Sequence, residues 1–293
     1  MKNLKGLYVS GFPGVKFSDW LTSLTNIVSI TFYNLSNCEH LPALERLPCL
    51  KELEIEFMEK VEMIGDDNCK HPFPCLSSLR IQDCPKLIYV PPFPHVQELI
   101  LTRSSMKAIL ETCMVKHDTC SFSPLSALNH LELYEVTEIE AMAEDWMKNL
   151  TSLQTLFLRG SSTVEVVLRQ LQHLPSELQE LRISHDEDKL VLWKDEDHKC
   201  GGPPPRALSS LQRITFYNCD NMKALPEQIG VLQSLRHLMI FYCLGLESLH
   251  EDERCLTNLH TLHIMGCPLL KRRYSAETGK DRPKIAHIPH IDI

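Results

Sequence analysis

Cysteines, histidines and clustered carboxylates are the residues of this chain whose types invite chemistry: 12 Cys and 14 His are spread over 293 residues. Thiols paired as C-x-x-C, or combined with histidine at short spacing, would hold zinc, and no such pair occurs. Cys69 and Cys75 flank a loop and are the one pair that oxidation could join. Two acidic runs, Asp186–Glu187–Asp188 and Asp195–Glu196–Asp197, are dense enough for Ca²⁺. The ligand order and central glycine of an EF-hand are missing, so a solvated loop is the better reading. Thr278–Gly279–Lys280–Asp281 lacks the glycine spacing of a phosphate loop. No Ser/His/Asp or Cys/His pair stands out by spacing. The expectation is a chain with no catalytic residue, no cofactor and no metal.

The elements that carry these residues follow from one recurrent spacing. L-x-x-L-x-L, with Leu, Ile, Val or Phe at the fixed positions, occurs eleven times, anchored on Leu4, Ile27, Leu50, Leu76, Val96, Leu128, Leu153, Leu178, Leu211, Leu235 and Leu259. Most intervals fall within the roughly 20–29-residue period of a leucine-rich repeat. The last two fixed residues lie two apart, on one face of a β-strand. Leu53 with Ile55, Leu79 with Ile81, Ile214 with Phe216, Leu238 with Ile240 and Leu262 with Ile264 should therefore point inward. A third apolar row, Cys219, Met222, Leu225 and then Cys243, Leu246, Leu249, should turn the chain back beneath the strands. The predicted class is an α/β solenoid: a leucine-rich-repeat horseshoe with a concave parallel β-sheet and an irregular or short-helical convex side. A solenoid grows without splitting, so residues 1–293 read as one domain of about eleven repeats, with 271–293 as a C-terminal cap.

Residues two, four and six after each anchor should face outward from the sheet. Those expected to bind are Glu52, Glu54, Glu56, Tyr134, Phe157, Arg159, Arg213, Tyr217, His237, Met239 and Phe241. Three glutamates on one strand face are unfavourable unless solvated or met by a cationic partner. Tyr134, Phe157, Tyr217, Met239 and Phe241 place large apolar groups outward, and aromatics with Arg are enriched at binding hot spots. Aromatics also stabilise strands as such; for the set as a whole, binding is the favoured reading.

Departures from the period mark insertions. SSMKAILETCMVKHDTCSFSP, between Val96 and Leu128, reads as a short amphipathic helix with Met106, Ile109, Leu110 and Cys113 inward. HDEDKLVLWKDEDHKCGGPPPR, between Leu178 and Leu211, brackets Leu190, Val191, Leu192 and Trp193 with the acidic runs. Trp193 is read as docking on the repeat edge, with an exposed partner anchor as the alternative. Asp145 and Trp146 are assigned to a convex-side helix. Cys84, Cys219, Cys243 and Cys267 all sit eight residues after their anchors, where a small polar group satisfies the turn leaving the strand. Structural burial is the expectation there.

With the repeats placed, the chain resembles the leucine-rich-repeat region of plant intracellular NB-ARC disease resistance proteins of the coiled-coil type. GLYVSGFPGVKFSDWL (6–21) is similar to the family's "GYPGxxFPxWL" segment. NIVSITFYNLSNCEHLPALERLPCLKELEIEFMEKVEMIGDD (26–67) is similar to its "NLVxLxLxxCxxCxxLPxLGxLPxLKxLxIxxMxxVxxIGxE" block. CPLLKRRYSAETGKDRPKIAHIPHI (267–291) is similar to its terminal "CPxLxxRCxxxxGEDWPKIxHIPxI", a block to which His287 and His290 belong and which has no catalytic assignment. Ser18, Leu35, Tyr274 and Arg282 depart from the pattern at single positions. The resemblance implies a protein-recognition module that senses a pathogen effector or a guarded host protein, or restrains an NB-ARC domain.

No phosphate loop and no heptad run is present, and Leu4 opens a repeat after three residues, so a fragment or truncated form of a larger receptor is expected. Lys271, Arg272, Arg273, Lys280, Arg282 and Lys284 are read as a polar end cap. A net charge of −8 argues against nucleic acid as the main partner. No apolar run reaches the roughly 18 residues of a membrane span, and no apolar signal core opens the chain. The expected compartment is cytoplasmic or nuclear, not secreted. Oligomeric state is left open. The alternative, an extracellular leucine-rich-repeat receptor or inhibitor-type binding protein, would show L-x-G-x-I-P repeats, paired terminal cysteines and a signal peptide.

Overall fold

A computed structural model describes residues 4–65, 72–107, 109, 125–139, 144–193, 203–249 and 256–293. The chain divides into two compact units, Met1–Leu153 and Gln154–Ile293. In the first, strands β1 (Gly6–Ser10), β2 (Ser29–Tyr33), β3 (His40–Leu41), β4 (Glu52–Glu56), β5 (Met63–Ile64), β6 (Ser78–Gln82), β7 (Glu98–Thr102) and β8 (His130–Tyr134) follow one another. β1, β2, β4, β6, β7 and β8 lie side by side in that order, all parallel, and β3 pairs with β5 on the return side. In the second unit come β9 (Thr155–Arg159), helix α1 (Ser161–Gln170), β10 (Glu180–Ser184), β11 (Arg213–Tyr217), β12 (His237–Phe241) and β13 (Thr261–Met265). Helices α2 (Pro268–Tyr274) and α3 (Arg282–Ile285) and strand β14 (His290–Asp292) follow. The six strands of this unit are again parallel and in chain order.

Register puts equivalent repeat positions beside one another. Ile30, Leu53, Leu79, Leu99 and Leu131 form one inward row, and Phe32, Ile55, Ile81, Leu101 and Leu133 form the next; all ten are at most 1% exposed. Leu156, Leu181, Ile214, Leu238 and Leu262 repeat the pattern in the second unit. Each such side chain contributes about 1.5–3 kcal/mol on burial. A five-residue strand cannot realise that alone, so neighbouring repeats stabilise each other. On the edge strand β1, covered from one side only, Leu7 and Val9 stay half-buried.

The return segments are short-helical, as expected of this class. Asp19–Ser23, Leu44–Arg46, Glu144–Asn149, Leu171–His173, Arg206–Leu208 and Glu227–Val231 are 3-10 segments of one or two turns, and Met222, Leu225, Leu246 and Leu249 are buried beneath the sheet. Trp146 and Met147 are buried in one of these turns. Among the described residues the longest helix is α1, which packs Val164, Val167 and Leu168 inward and which the spacing does not predict. Met106 and Ile109 are buried as expected, whereas Leu110 and Cys113 lie outside the described residues. Leu190, Leu192 and Trp193 are buried, with the Trp193 carbonyl accepting from Gln228 Nε2 at 3.2 Å. Trp193 is thus docked rather than exposed. Asp186–Glu187–Asp188 are exposed, and Asp195–Glu196–Asp197 lie outside the described residues, as do Cys69, Cys120, Cys200 and Cys255.

The C-terminal segment does more than present charge. Leu270, Tyr274, Ile285 and Ile288 are buried over the last repeat, and Ile291 joins the inward row beside Leu262. Asp281 is bonded to Arg273 and lies 3.5 Å from Lys284 Nζ, which fastens α2 to α3.

Cysteine performs the predicted structural work. The backbone N–H of Cys219 donates to Cys243 Sγ at 3.4 Å, and that of Cys243 donates to Cys267 Sγ at 3.3 Å. In the first unit Cys84 N–H uses the Ser104 hydroxyl, which occupies the same repeat position, at 3.1 Å. Each thiol donates back to the carbonyl two residues earlier: Cys84 to Gln82, Cys219 to Tyr217, Cys243 to Phe241 and Cys267 to Met265. Burial pushes the Cys84 thiol up to about 12, far from a reactive thiolate. Cys267→Ala removes the acceptor for a buried N–H and should cost about 1–3 kcal/mol. Cys267→Ser should cost less, because the hydroxyl can still accept. Urea midpoints of the two variants check this, and equal losses would show that the ladder bond is not what Cys267 supplies.

Candidate protein-binding face

Alternate strand residues turn away from the core and form the open face of each sheet. In the first unit the strands carry Glu52, Glu54, Glu56, Glu98 and Glu132 outward, against one guanidinium, Arg80. The three like charges on β4 are only partly met from within. Glu54 accepts from the Thr31 hydroxyl at 3.0 Å and lies 3.7 Å from Arg80 Nε. Glu52 is exposed. Burial, then the charge of Glu54, pushes the Glu56 carboxyl up from its ordinary value, with Arg80 opposing. Ile100, at an outward position, is only 4% exposed. Its register neighbours are Arg80 and Glu132, long side chains whose stems cover a smaller residue between them. Tyr134, at the end of β8, is half-buried.

The second unit has the opposite character. Arg159, Arg182 and Arg213 face outward against Glu180 and Asp292. Glu180 is shared by Arg182 at 2.7 Å and Arg213 at 3.5 Å. Beside Arg213 in register is His237, whose pKa is held below its usual 6.5 by burial first and then by Arg213 and His260. Two aromatic-rich rows follow. Tyr217, Phe241 and Met265 align across β11, β12 and β13, and Thr215, Met239 and His263 align next to them. Phe241 meets His263 edge-on at 5.1 Å between ring centroids. Phe157 shares the Met239 row but is separated from it by Arg182 and Thr215. The structure therefore brings Tyr217, Met239 and Phe241 together, adds His263 and Met265, and sets Phe157 and Arg159 apart on β9.

Residues just past the strands were missed by the sequence reading. Seven residues after the anchor, ten of the eleven repeats place a residue in the left-handed region: Gly11, Asn34, Phe57, Asp83, Arg103, Glu135, Gly160, Asn218, Tyr242 and Gly266. Where the bonds are resolved, its N–H donates to the last strand carbonyl of the next repeat, as in Asn34 to Glu56, Phe57 to Gln82, Arg103 to Tyr134 and Tyr242 to Met265. Glycine and asparagine suit this conformation. Phe57 (φ 56°), Arg103 (φ 43°), Glu135 (φ 47°) and Tyr242 (φ 53°) do not, and such a residue costs on the order of 1–3 kcal/mol. The exception, His185, opens the long acidic insertion. Lining up these positions in the sequence would have exposed the four misfits.

Two of the misfits extend aromatic clusters. The Tyr242 ring lies over Gly266, where a Cβ would come within 2.5 Å of it, and meets Tyr217 edge-on at 5.7 Å. With Tyr217 37%, Tyr242 44% and Met265 44% exposed, an apolar ridge stands at this end of the strands, and Leu244, 54% exposed, follows Tyr242 by two residues. In the first unit Phe57 meets Tyr33 edge-on at 5.3 Å, and Tyr33 stacks with Tyr8 at 6.3 Å. Beside them Arg103 grips Asp83 with two bonds of 2.7 Å, which hold the Asp83 carboxyl below its usual range.

This geometry defines a leucine-rich-repeat protein: parallel strands at the repeat period, inward aliphatic rows and short-helical returns. Comparison with known proteins agrees. Residues 1–58 match the family described as R13L1/DRL21 LRRs. RGA1 of Solanum bulbocastanum, carrying disease resistance in its name, is 30% identical over 194 residues, covering 60% of this chain and 19% of that protein. Disease resistance protein RGA2 of the same species is 30% identical over 171 residues, covering 53% of this chain and 16% of that protein. RPP13-like protein 1 of Arabidopsis thaliana is 26% identical over 255 residues, covering 80% and 22%. The chain is a leucine-rich-repeat relative of plant disease resistance proteins, spanning about a fifth of their length. Among the described residues no helix is long and apolar enough to cross a membrane.

Because the Glu56 carboxyl is raised in the folded chain, its ionised form weakens the fold. Its contribution is intact below the ordinary carboxyl pKa of 4.5 and is lost as pH rises through the folded value. Glu56→Gln should therefore melt higher than the parent at pH 7, with the gap closing as pH falls to about 4. Thermal unfolding across that range tests it; a gap that widens on acidification would reverse the sign.

Proposed function

We propose that this chain is a non-catalytic protein-recognition module of plant innate immunity, and that it belongs to a larger NB-ARC-type receptor. In that setting it senses a pathogen effector or a guarded host protein, or restrains the nucleotide-binding domain, and it works inside the cell, in the cytoplasm or nucleus. Its similarity to resistance proteins, and the fifth of their length that it spans, support this reading.

The observation that carries it is the ridge of Tyr217, Tyr242 and Met265, exposed at the ends of strands whose inner residues are buried, with half-buried Phe241 beside them. Large apolar groups on a sheet face contribute little to the fold when left in water, and much to an interface when covered. Parallel strands hold them in place before a partner arrives, which lowers the ordering cost of docking. The surrounding charge acts differently: the carboxylates of the first unit and the guanidiniums of the second set which partners approach, and how fast, in a salt-sensitive manner.

Tyr217→Ala and Phe241→Ala should each weaken binding to the cognate effector or host protein about tenfold or more, while the unfolding midpoint moves little. Surface plasmon resonance with a partner recovered from the plant reports the first quantity and urea unfolding the second. Unchanged affinity in both variants would remove the ridge from the interface.

A further inference from the structure

The left-handed residues of four successive repeats, Asn34, Phe57, Asp83 and Arg103, line one open hollow of about 660 Å³ in the first unit, together with Tyr33, Glu59 and Pro85. Two of its walls are aromatic rings, Tyr33 and Phe57, whose planes are inclined by 67°. Its one cation is already committed, because Arg103 gives Nε and Nη2 to the Asp83 carboxylate. The sign left to the hollow and its approach is negative, from Glu59 on the rim and Glu52 and Glu56 on the adjoining strand, where Arg80 pairs with Glu54 at 3.7 Å. Lys60, next to Glu59 in sequence, donates to the Asn37 side chain at 3.0 Å.

Phenylalanine is a poor occupant of its position. Gly11, Gly160 and Gly266 fill the same place in other repeats without penalty. The ring is thus held in the hollow against backbone preference, as happens where a side chain serves a site. Aromatic faces beside carboxylates attract a guanidinium or alkylammonium through the ring quadrupole and the net negative field together. An anion would meet Glu59 and a neutralised Arg103, and an apolar group would bury carboxylates.

We propose that the hollow between Tyr33, Phe57 and the Asp83–Arg103 pair receives an arginine or lysine side chain from an extended basic protein segment lying along the acidic face of the first unit. This deepens the recognition reading and rests on it in one respect, that the open face meets a protein. It assigns that unit a partner chemistry distinct from the apolar ridge of the second.

The probe is a fluorescent nine-residue peptide alternating Arg and Ser, titrated against the full chain by anisotropy at low and physiological salt, beside an Asp/Ser peptide of equal length. Binding of the basic peptide alone, weakening as salt rises, is expected. Phe57→Gly removes the ring and relieves the backbone, so it should weaken the peptide by roughly three- to thirtyfold with an unchanged or higher melting temperature. Glu59→Lys, at an exposed position, should weaken it without touching the fold. Peptide affinity unchanged in both variants, or equal binding of the acidic peptide, overturns the assignment. Loss of folding in Phe57→Gly combined with unchanged affinity in Glu59→Lys also overturns it, since the ring would then be structural. The ridge variants Tyr217→Ala and Phe241→Ala should leave this peptide unaffected, so failure here and failure of the ridge are separate results.

Discussion

Each repeat must leave its strand without breaking the hydrogen-bond ladder, and ten of the eleven do so with one residue in the left-handed region. That residue's N–H reaches the last strand carbonyl of the following repeat, at 2.9 Å for Phe57 to Gln82 and 2.8 Å for Tyr242 to Met265. The bond extends the parallel pairing one step beyond the strand and turns the chain toward the core. Immediately afterwards the buried thiol or hydroxyl of Cys84, Ser104, Cys219, Cys243 or Cys267 satisfies the next backbone groups. Without this paired device the return segments would bury unsatisfied amides, each costing about 1–3 kcal/mol. The aliphatic rows could not stay in register from repeat to repeat.

Keeping that register divides labour between the two sides of every strand. Inward positions are nearly uniform, Leu or Ile with Phe32 and Phe216 as larger fillers, since a mismatch in volume is felt by both neighbours. Outward positions are released from packing and vary. They carry carboxylates through the first unit and arginines, histidines and aromatics through the second. Such segregation of sign contributes little to stability, because exposed pairs such as Arg80 and Glu54 are worth at most about 1 kcal/mol. Its effect is on which molecules approach.

The left-handed position links the two sides. It is a backbone necessity of the turn, yet its side chain projects at the rim of the open face. Where glycine or asparagine occupies it, the turn is satisfied without strain. Where Phe57, Arg103, Glu135 or Tyr242 occupies it, a conformational cost is accepted, and at three of the four a ring or guanidinium is held beside the strand ends. Both aromatic clusters of the open face are completed in this way, Tyr33 by Phe57 and Tyr217 by Tyr242.

Spacing alone specified the strands, their inward rows and the buried cysteines, because these follow from a period of two within each strand and a fixed offset from each anchor. Glu52, Glu54 and Glu56 were legible as outward for the same reason, and so were Tyr217, Met239 and Phe241. What spacing could not supply is lateral order. Phe157 and Met239 share a row number, yet Arg182 and Thr215 stand between them. Asp83 and Arg103 look unrelated in the chain and close a two-bond ion pair across adjacent repeats. The tail reads as a charged cap, while folding adds a strand whose Ile291 completes an inward row. Periodicity determines which way a side chain points; only the stacking of one repeat on the next decides what it meets, because those neighbours are 20 to 33 residues away in sequence and about 5 Å away in space.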